Sequence, residues 1–131
     1  MIGKEQGLVN EVQQKYYNLE DRLLTFSVRS LQFLKTLPDD IVYNVIKYQF
    51  SKSATSIGAN YKESQNTTYK EFIVKIRIAV REANESQYWI QIINKMEIGS
   101  PEQINFLMDE IEELLKILGS ILAKVSKNIK S

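Results

Sequence analysis

Apolar residues recur every three or four positions through almost the whole chain, and this spacing constrains the fold more than any other feature. Such spacing places side chains on one face of an α-helix, which has 3.6 residues per turn. No segment alternates apolar and polar residues as a half-buried β-strand does. The sequence therefore predicts an all-α protein. The clearest series in the first third of the chain consists of Leu19, Leu23, Phe26, Ser30, Phe33 and Leu37.

Three interruptions of this spacing divide the chain into four predicted helices. Pro38 ends the first, because a proline disfavours helical geometry in the residue before it, and one of the two aspartates that follow is suited to cap the next helix. Thr68 and Glu71 form a capping box ahead of the third helix. Gly99, Ser100 and Pro101 form the joint before the fourth. The predicted helices span residues 9–37, 39–63, 69–96 and 102–127.

Short connections between helices favour antiparallel neighbours, so we expect an antiparallel up-down four-helix bundle. A chain of 131 residues has the size of one domain, and we assign residues 1–131 to it. Four further apolar residues widen the stripe of the first helix, which predicts that this helix is well buried. These residues are Leu24, Val28, Leu31 and Leu34.

The chain contains no cysteine and no histidine. This excludes disulfide bonds, thiol nucleophiles, Cys/His zinc sites and catalysis by an imidazole base. We expect no cofactor and no metal, and a protein that is not an enzyme. No uninterrupted run of about 18 apolar residues indicates a membrane span, and the first residues lack the pattern of a signal peptide. We therefore expect a cytoplasmic protein without membrane contact.

Small residues crowd the stretch 53–63, which we expect to pack beside the run 79–93. Gly58 in mid-helix costs about 1 kcal/mol relative to alanine, and close contact between helices is the usual reason for such a residue. Polar groups buried at a close contact need partners. Two interpretations of the polar residues stay open: a hydrogen-bonded structural network, and an oxygen-only cation site. The residues concerned are Asn60, Glu63, Glu82 and Glu85.

Basic residues outnumber acidic ones in the middle of the chain, although the net charge of the whole is only +1. Clustered basic side chains bind phosphates, and tyrosines between them can stack on unpaired bases. One interpretation is a nucleic-acid surface, and the other is an ordinary solvated helix face. The basic residues are Lys47, Lys52, Lys62, Lys70, Lys75, Arg77 and Arg81.

Tyr88 and Trp89 add more aromatic bulk than one core stripe of the third helix can easily hide. Aromatic residues in excess of a core often anchor interfaces between proteins. We expect these two to contribute to an oligomer interface. The alternative is that Trp89 belongs to the core.

The central part of the chain resembles a known family. The residues that carry the likeness are Ser-Ile-Gly-Ala-Asn-Tyr-x-Glu at 56–63, Glu71-Phe72, Lys75-Ile76, Glu82-Ala83-x-Glu85 and Tyr88-Trp89. They resemble the bacterial four-helix-bundle family whose founding members are encoded in intervening sequences of 23S rRNA genes. The resemblance implies an antiparallel four-helix bundle that assembles into a homo-oligomeric ring, a pentamer in relatives. It also implies a family without an established catalytic activity.

From the residues and this resemblance together, we expect a non-enzymatic oligomeric protein that binds or scaffolds, with itself and RNA as candidate partners. The alternative is an adaptor for a protein partner. The accessory proteins of diversity-generating retroelements, which are similar in fold and engage a reverse transcriptase, illustrate that alternative.

Overall fold

The part of the chain that the structure describes contains five α-helices, one more than the sequence predicts. The computed structural model describes residues 2–15 and 18–130, and this part of the chain contains helices and no strand. The helices form a single compact all-α domain. Their bounds are Ile2–Lys15 (α1), Leu19–Lys35 (α2), Ile41–Ser64 (α3), Tyr69–Lys95 (α4) and Pro101–Lys130 (α5).

The predicted first helix, residues 9–37, is wrong as a single element, because α1 ends at Lys15 and α2 begins at Leu19. Residues 16 and 17 lie outside the described part. Asn18 has φ −90° and ψ 0°, in the sparsely populated bridge region where a helix is interrupted. The apolar stripe of α2 begins only at Leu19. Upstream of it, the buried Val9 lies beside the connection from α3 to α4, so α1 has to leave the direction of α2.

The other helix starts carry the caps that the sequence predicts. The Asp40 carboxylate accepts hydrogen bonds from the backbone N–H groups of Val42 and Tyr43, at 2.9 and 3.3 Å. The Thr68 hydroxyl accepts from the N–H of Glu71 at 3.2 Å. Each cap satisfies donors that the first turn of a helix leaves unpaired. The third bond of this kind joins Ser100 Oγ to the N–H of Gln103 at 3.4 Å.

The helices that pack side by side run in opposite directions. Along α2 and α3, Glu20 pairs with Lys62 and Ser27 pairs with Ala54, so the residue number rises on one helix as it falls on the other. The same reversal relates α3 to α4. There, Glu63 pairs with Lys75 and Ser53 with Ser86. α5 contacts both α4 and α2.

The interior is filled by the residues of the predicted apolar stripes. Phe26 and Phe50 are fully buried, and their rings meet edge to face with centroids 6.5 Å apart, an orientation that aromatic pairs favour. All six residues of the α2 series from Leu19 to Leu37 are buried, which confirms that stripe. The prediction that α2 is buried on a wider face is wrong. Leu34 is buried, but Leu24, Val28 and Leu31 are exposed to solvent.

The connection between α4 and α5 contains two residues with a left-handed backbone. Glu97 has a left-handed backbone, φ +57°, and Gly99 has φ +74°. A Cβ atom on Gly99 would lie 2.6 Å from Cε1 of Phe33, so both the backbone and the available space require glycine. The end of α2 is thereby packed against this turn. None of the described helices is long and apolar enough to cross a membrane.

Candidate docking and nucleic-acid surfaces

An apolar groove runs along the outside of the molecule between α2 and α3. Its first part has a volume of about 560 Å³ and is lined by Leu24, Val28 and Leu31 of α2 together with small residues such as Ser27 and Gly58. Leu24 is 62% exposed. Small side chains beside the apolar ridge of α2 let another helix approach closely. We call this surface the α2–α3 groove.

The α2–α3 groove continues toward the end of α2. Its second part has a volume of about 640 Å³ and shares Leu31 with the first. Tyr48 of α3 lies along it and is 64% exposed. The groove is therefore apolar over most of the length of α2, a distance of about 25 Å at 1.5 Å per residue.

The two ends of the α2–α3 groove carry opposite charges. Glu20 and Asp21 line the end where α2 begins, where Lys62 forms a 2.6 Å ion pair with Glu20. Lys35 and Lys47 line the other end. The first end thus has a net charge of −1 and the second a net charge of +2, which gives any charged occupant a preferred direction.

Gly58 explains how α2 and α3 come so close. A Cβ atom placed on it would lie 3.3 Å from Cβ of Leu23, tighter than ordinary van der Waals contact. On the other side of α3, Ser86 Oγ of α4 donates a 2.9 Å hydrogen bond to Ser53 Oγ, and both residues are buried. The small residues of the stretch 53–63 therefore serve two helix contacts, one on each side of α3.

The four polar residues singled out in the sequence lie along the α3–α4 pair without a hydrogen bond between any two of them. Asn60 Nδ2 donates to the backbone carbonyl of Ser56 at 2.8 Å. Glu63 forms an ion pair with Lys75 at 3.0 Å. Among the described residues, no group of acidic side chains is placed to hold a metal ion. The other two residues lie further along α4.

Glu82 and Glu85 occupy neighbouring positions on α4. Partial burial raises the pKa of Glu82, and the negative charge of Glu85 raises it further, while Arg81 and Lys52 act in the opposite direction. Glu85 accepts a 3.3 Å hydrogen bond from the indole N–H of Trp89. The two carboxylates thus have separate surroundings, one partly desolvated and one holding an aromatic ring.

The seven basic residues of the predicted nucleic-acid surface do not form one patch. Lys47 and Lys62 line the α2–α3 groove, and Lys75 is engaged by Glu63. Lys52 of α3 approaches the ring of Tyr48, with Nζ 6.0 Å from the ring centroid. The remaining three are exposed and follow one another along α4: Lys70, Arg77 and Arg81.

Tyr88 and Trp89 play different parts although they are adjacent. Their rings meet edge to face at 5.7 Å. Trp89 is partly buried and packs against the core cluster. Tyr88 is 59% exposed, so of the two it is the one that offers a surface to a partner.

The apolar surface that sequence reasoning missed is the α2–α3 groove itself. Leu24, Val28 and Leu31 have helical spacing like the core residues beside them, and spacing alone cannot tell an inner stripe from an outer one. The sequence did contain one signal of an outer apolar surface, because α2 carries more apolar residues than one core-facing stripe of a helix can hold.

Comparison with known proteins gives a family and a solved structure to which this chain is similar. The family model for the 23S rRNA-intervening sequence protein matches residues 10–120. A crystal structure at 1.70 Å resolution of a protein with unknown function, from the S23 ribosomal protein family of Bacteroides thetaiotaomicron VPI-5482, is 35% identical with a TM-score of 0.72. The match covers 79% of this chain and 97% of that one. A search of curated protein sequences gave no match.

Proposed function

The chain belongs to the 23S rRNA-intervening sequence protein family, and we propose that it is a non-enzymatic scaffold that associates with copies of itself in a closed ring. The family resemblance puts the ring at five copies. The fold that we propose for each copy is an up-down bundle of α2 to α5, with α1 laid across one end. The antiparallel pairing of successive helices supports this arrangement.

The observation that carries the proposal is the amount of apolar surface left outside the core. Ile41 is 82% exposed, and the α2–α3 groove adds Leu24, Val28, Leu31 and Tyr48. Single exposed apolar residues are normal on soluble proteins, but a continuous apolar patch usually marks an interface. A partner that covers the groove removes this surface from water.

A role without catalysis agrees with the contacts of the carboxylates. The Glu63 carboxylate is paired with Lys75, and the Glu85 carboxylate holds the Trp89 indole. These groups stabilise the α3–α4 surface, and they are not poised together around a cleft where a substrate could react.

The test is the mass of the protein in solution. Light scattering after size exclusion at micromolar concentration should give a multiple of the 15.2 kDa protomer. Leu24→Glu combined with Leu31→Glu should lower that mass, because the groove would then carry charges in an apolar contact. Thr25→Glu is the matched control, since Thr25 is an exposed residue of the same helix and does not line the groove.

A monomeric mass for the unaltered protein would refute the scaffold proposal. It would favour the alternative role, an adaptor whose groove takes a segment of a protein partner, such as a reverse transcriptase of a diversity-generating retroelement. Full retention of the oligomer in the double variant would show that the groove is not the contact.

RNA is the second candidate, as a ligand of the scaffold in the cytoplasm, where rRNA lies. Its support is the exposed line of basic residues Lys70, Arg77 and Arg81 on α4. Each phosphate contact releases condensed counterion, so affinity should fall with salt at a slope of about −0.7 per contact for single strands.

Fluorescence anisotropy with an rRNA fragment and with an unrelated RNA, over a range of salt concentrations, measures this binding. Replacing Lys70, Arg77 and Arg81 by glutamine should lower both affinity and salt slope. The matched control removes three exposed charges elsewhere: Lys4, Lys116 and Lys127. Equal losses in the two triple variants would mean that net charge alone acts, and the α4 surface would be withdrawn as an RNA site.

A further inference from the structure

α4 carries a second series of helically spaced residues on its outer side, separate from the one that faces the core. Three of its apolar members, Val74, Tyr88 and Met96, are exposed, and the other two are partly buried. The spacing of four and three is that of a helix face that packs against another helix. We call this surface the outer face of α4; its residues are Val74, Ile78, Arg81, Glu85, Tyr88, Ile92 and Met96.

Ile92 packs partly against the core, but the helices of the same chain leave Val74, Tyr88 and Met96 exposed. α3 and α5 pack on the inner sides of α4, and α1 lies beside its first turn, near Tyr69 and Phe72. The molecule therefore has an apolar ridge on α4 and an apolar groove between α2 and α3. A ridge and a groove on different sides of one chain can join copies head to tail.

The charges of the two surfaces match in one direction. The groove is acidic where α2 begins, at Glu20 and Asp21, and basic where α2 ends, at Lys35. The outer side of α4 is more basic in its first half, which carries Lys70, Arg77 and Arg81, than in its second half, where Glu85 is followed by Lys95. A neighbouring α4 that runs parallel to α2 brings its more basic half to the acidic end of the groove, whereas an antiparallel one would bring Arg77 to Lys35.

The groove and the outer face of α4 also match in height, by which we mean the position of a residue along the common direction of the helix axes. Glu20 lies level with Lys62, and Glu63 lies level with Lys75, so the acidic end of the groove is at the height of Arg77. Further along, the Ser27–Ala54 and Ser53–Ser86 contacts put the middle of α2 level with Ser86. Leu31 and Tyr88 therefore lie within about one helical turn of each other in height.

We propose that in the assembly the outer face of α4 of one copy lies in the α2–α3 groove of the next, with the two helices parallel. This contact rests on the proposed self-association and specifies how it is made. A rotation about an axis along the helices leaves every height unchanged, so Asp21 meets Arg77 and Leu31 meets Tyr88 without any sliding. Repeated rotation closes such a head-to-tail contact into a ring.

Cysteine cross-linking tests the contact directly, because the chain has no cysteine of its own. Protein with both Leu31→Cys and Tyr88→Cys, treated with a short bismaleimide, should give a ladder of covalent multimers whose top band counts the copies in the ring. Each single variant alone should stay uncrosslinked, and a mixture of the two should give a covalent dimer. Leu31→Cys with Asn105→Cys, an exposed position on α5, is the control that should give no ladder.

The outcomes separate this contact from the scaffold proposal. A monomeric mass in light scattering would overturn both. An oligomer that gives no ladder in the double variant would overturn the contact and leave the scaffold standing. Cross-linking of Leu31→Cys to itself would mean that two grooves face each other, and it would also overturn the head-to-tail arrangement.

A charge exchange provides a second test with no new cysteine. Asp21→Lys and Arg77→Glu should each raise the dissociation constant of the assembly roughly five- to tenfold, as expected for one ion pair replaced by a repulsion. Both changes together should restore assembly, while Asp109→Lys on α5 should leave it unchanged. No recovery in the double variant would overturn the pairing. Arg77 and Arg81 also belong to the proposed RNA surface, which this contact would cover, so RNA binding there and the contact compete. Asp21→Lys should weaken assembly without removing an RNA contact.

Discussion

Replacement of Gly58 by alanine measures how closely α2 and α3 approach. An alanine in place of glycine within a helix stabilises it by about 1 kcal/mol through backbone propensity. At Gly58 the added Cβ would lie 3.3 Å from Cβ of Leu23, so α2 has to shift by a few tenths of an ångström. We expect this strain to cancel the gain, and Gly58→Ala to change the free energy of unfolding by less than about 0.5 kcal/mol. Gly58→Leu should destabilise by about 1–3 kcal/mol, since it overpacks the contact.

Gly119 provides the matched control. It lies within α5, and a Cβ atom placed on it would meet no atom within 4 Å. Gly119→Ala should therefore show the full gain of about 1 kcal/mol. Urea unfolding followed by far-UV circular dichroism, at one fixed protein concentration so that self-association does not change the result, gives the difference between the two variants. Equal stabilisation by both alanines would refute the close approach of α2 and α3 at Gly58.

Further substitutions test the interior, the α3–α4 surface and the last turn. Ser30 Oγ is buried and has no hydrogen-bond partner among the described residues, so Ser30→Ala should raise the unfolding free energy by about 1 kcal/mol in urea. Ser53→Ala should cost about 1–2 kcal/mol because it leaves the Ser86 hydroxyl without its acceptor, and the double alanine variant should cost less than the sum of the single ones. The raised pKa of Glu82 means that its ionisation opposes folding. Glu82→Gln should therefore raise the melting temperature at pH 7. This gain should shrink as the pH falls and vanish below about 4.5, the ordinary pKa of the carboxyl, because the group is then protonated in both the folded and the unfolded state. Glu97→Gly should raise the melting temperature, because glycine adopts the observed φ of +57° without the cost of about 1 kcal/mol that other residues bear.

Local signals in the sequence were sufficient for three of the helices. Asp40, Thr68 and Ser100 each stand where a helix begins, and the structure gives each the hydrogen bond that its side chain predicts. Caps depend on residues within one turn of each other, so they can be identified without knowing what the helix packs against. The family resemblance, which rests on short blocks of α3 and α4, is confirmed by the match over residues 10–120.

Local signals could not predict where the first helix ends and the second begins. The residues from Val9 to Leu19 contain nothing that forbids a helix, and the break at Asn18 follows from the position of α1 over the end of the domain. That position is set by contacts with the connection between α3 and α4, about 50 residues further along the chain. Tertiary contacts of this kind override local propensity.

For the candidate sites too, the sequence predicts what lies on one helix but not how two helices are aligned. Spacing predicts that Glu82 and Glu85 are neighbours, and they are close enough for the charge of Glu85 to raise the pKa of Glu82. Whether Glu63 joins them depends on the register between α3 and α4, which spacing on one helix cannot give. The structure pairs Glu63 with Lys75, about two turns from Glu82 along α4. The register also decides which basic residues are free and which are already paired.

The alternation of helix directions determines where anything attached to this protein would emerge. Tyr69 at the start of α4 donates a hydrogen bond to the carbonyl of Val125 near the end of α5, and Lys124 pairs with Glu11 of α1. Both ends of the described chain therefore lie near the same end of the domain, opposite the turn at Gly99. If the copies are related by rotation about the long axis, tags or fused domains at either end would all project from one rim, and the other rim would stay clear. A fluorophore on each rim would then report which way such a particle stands on a surface.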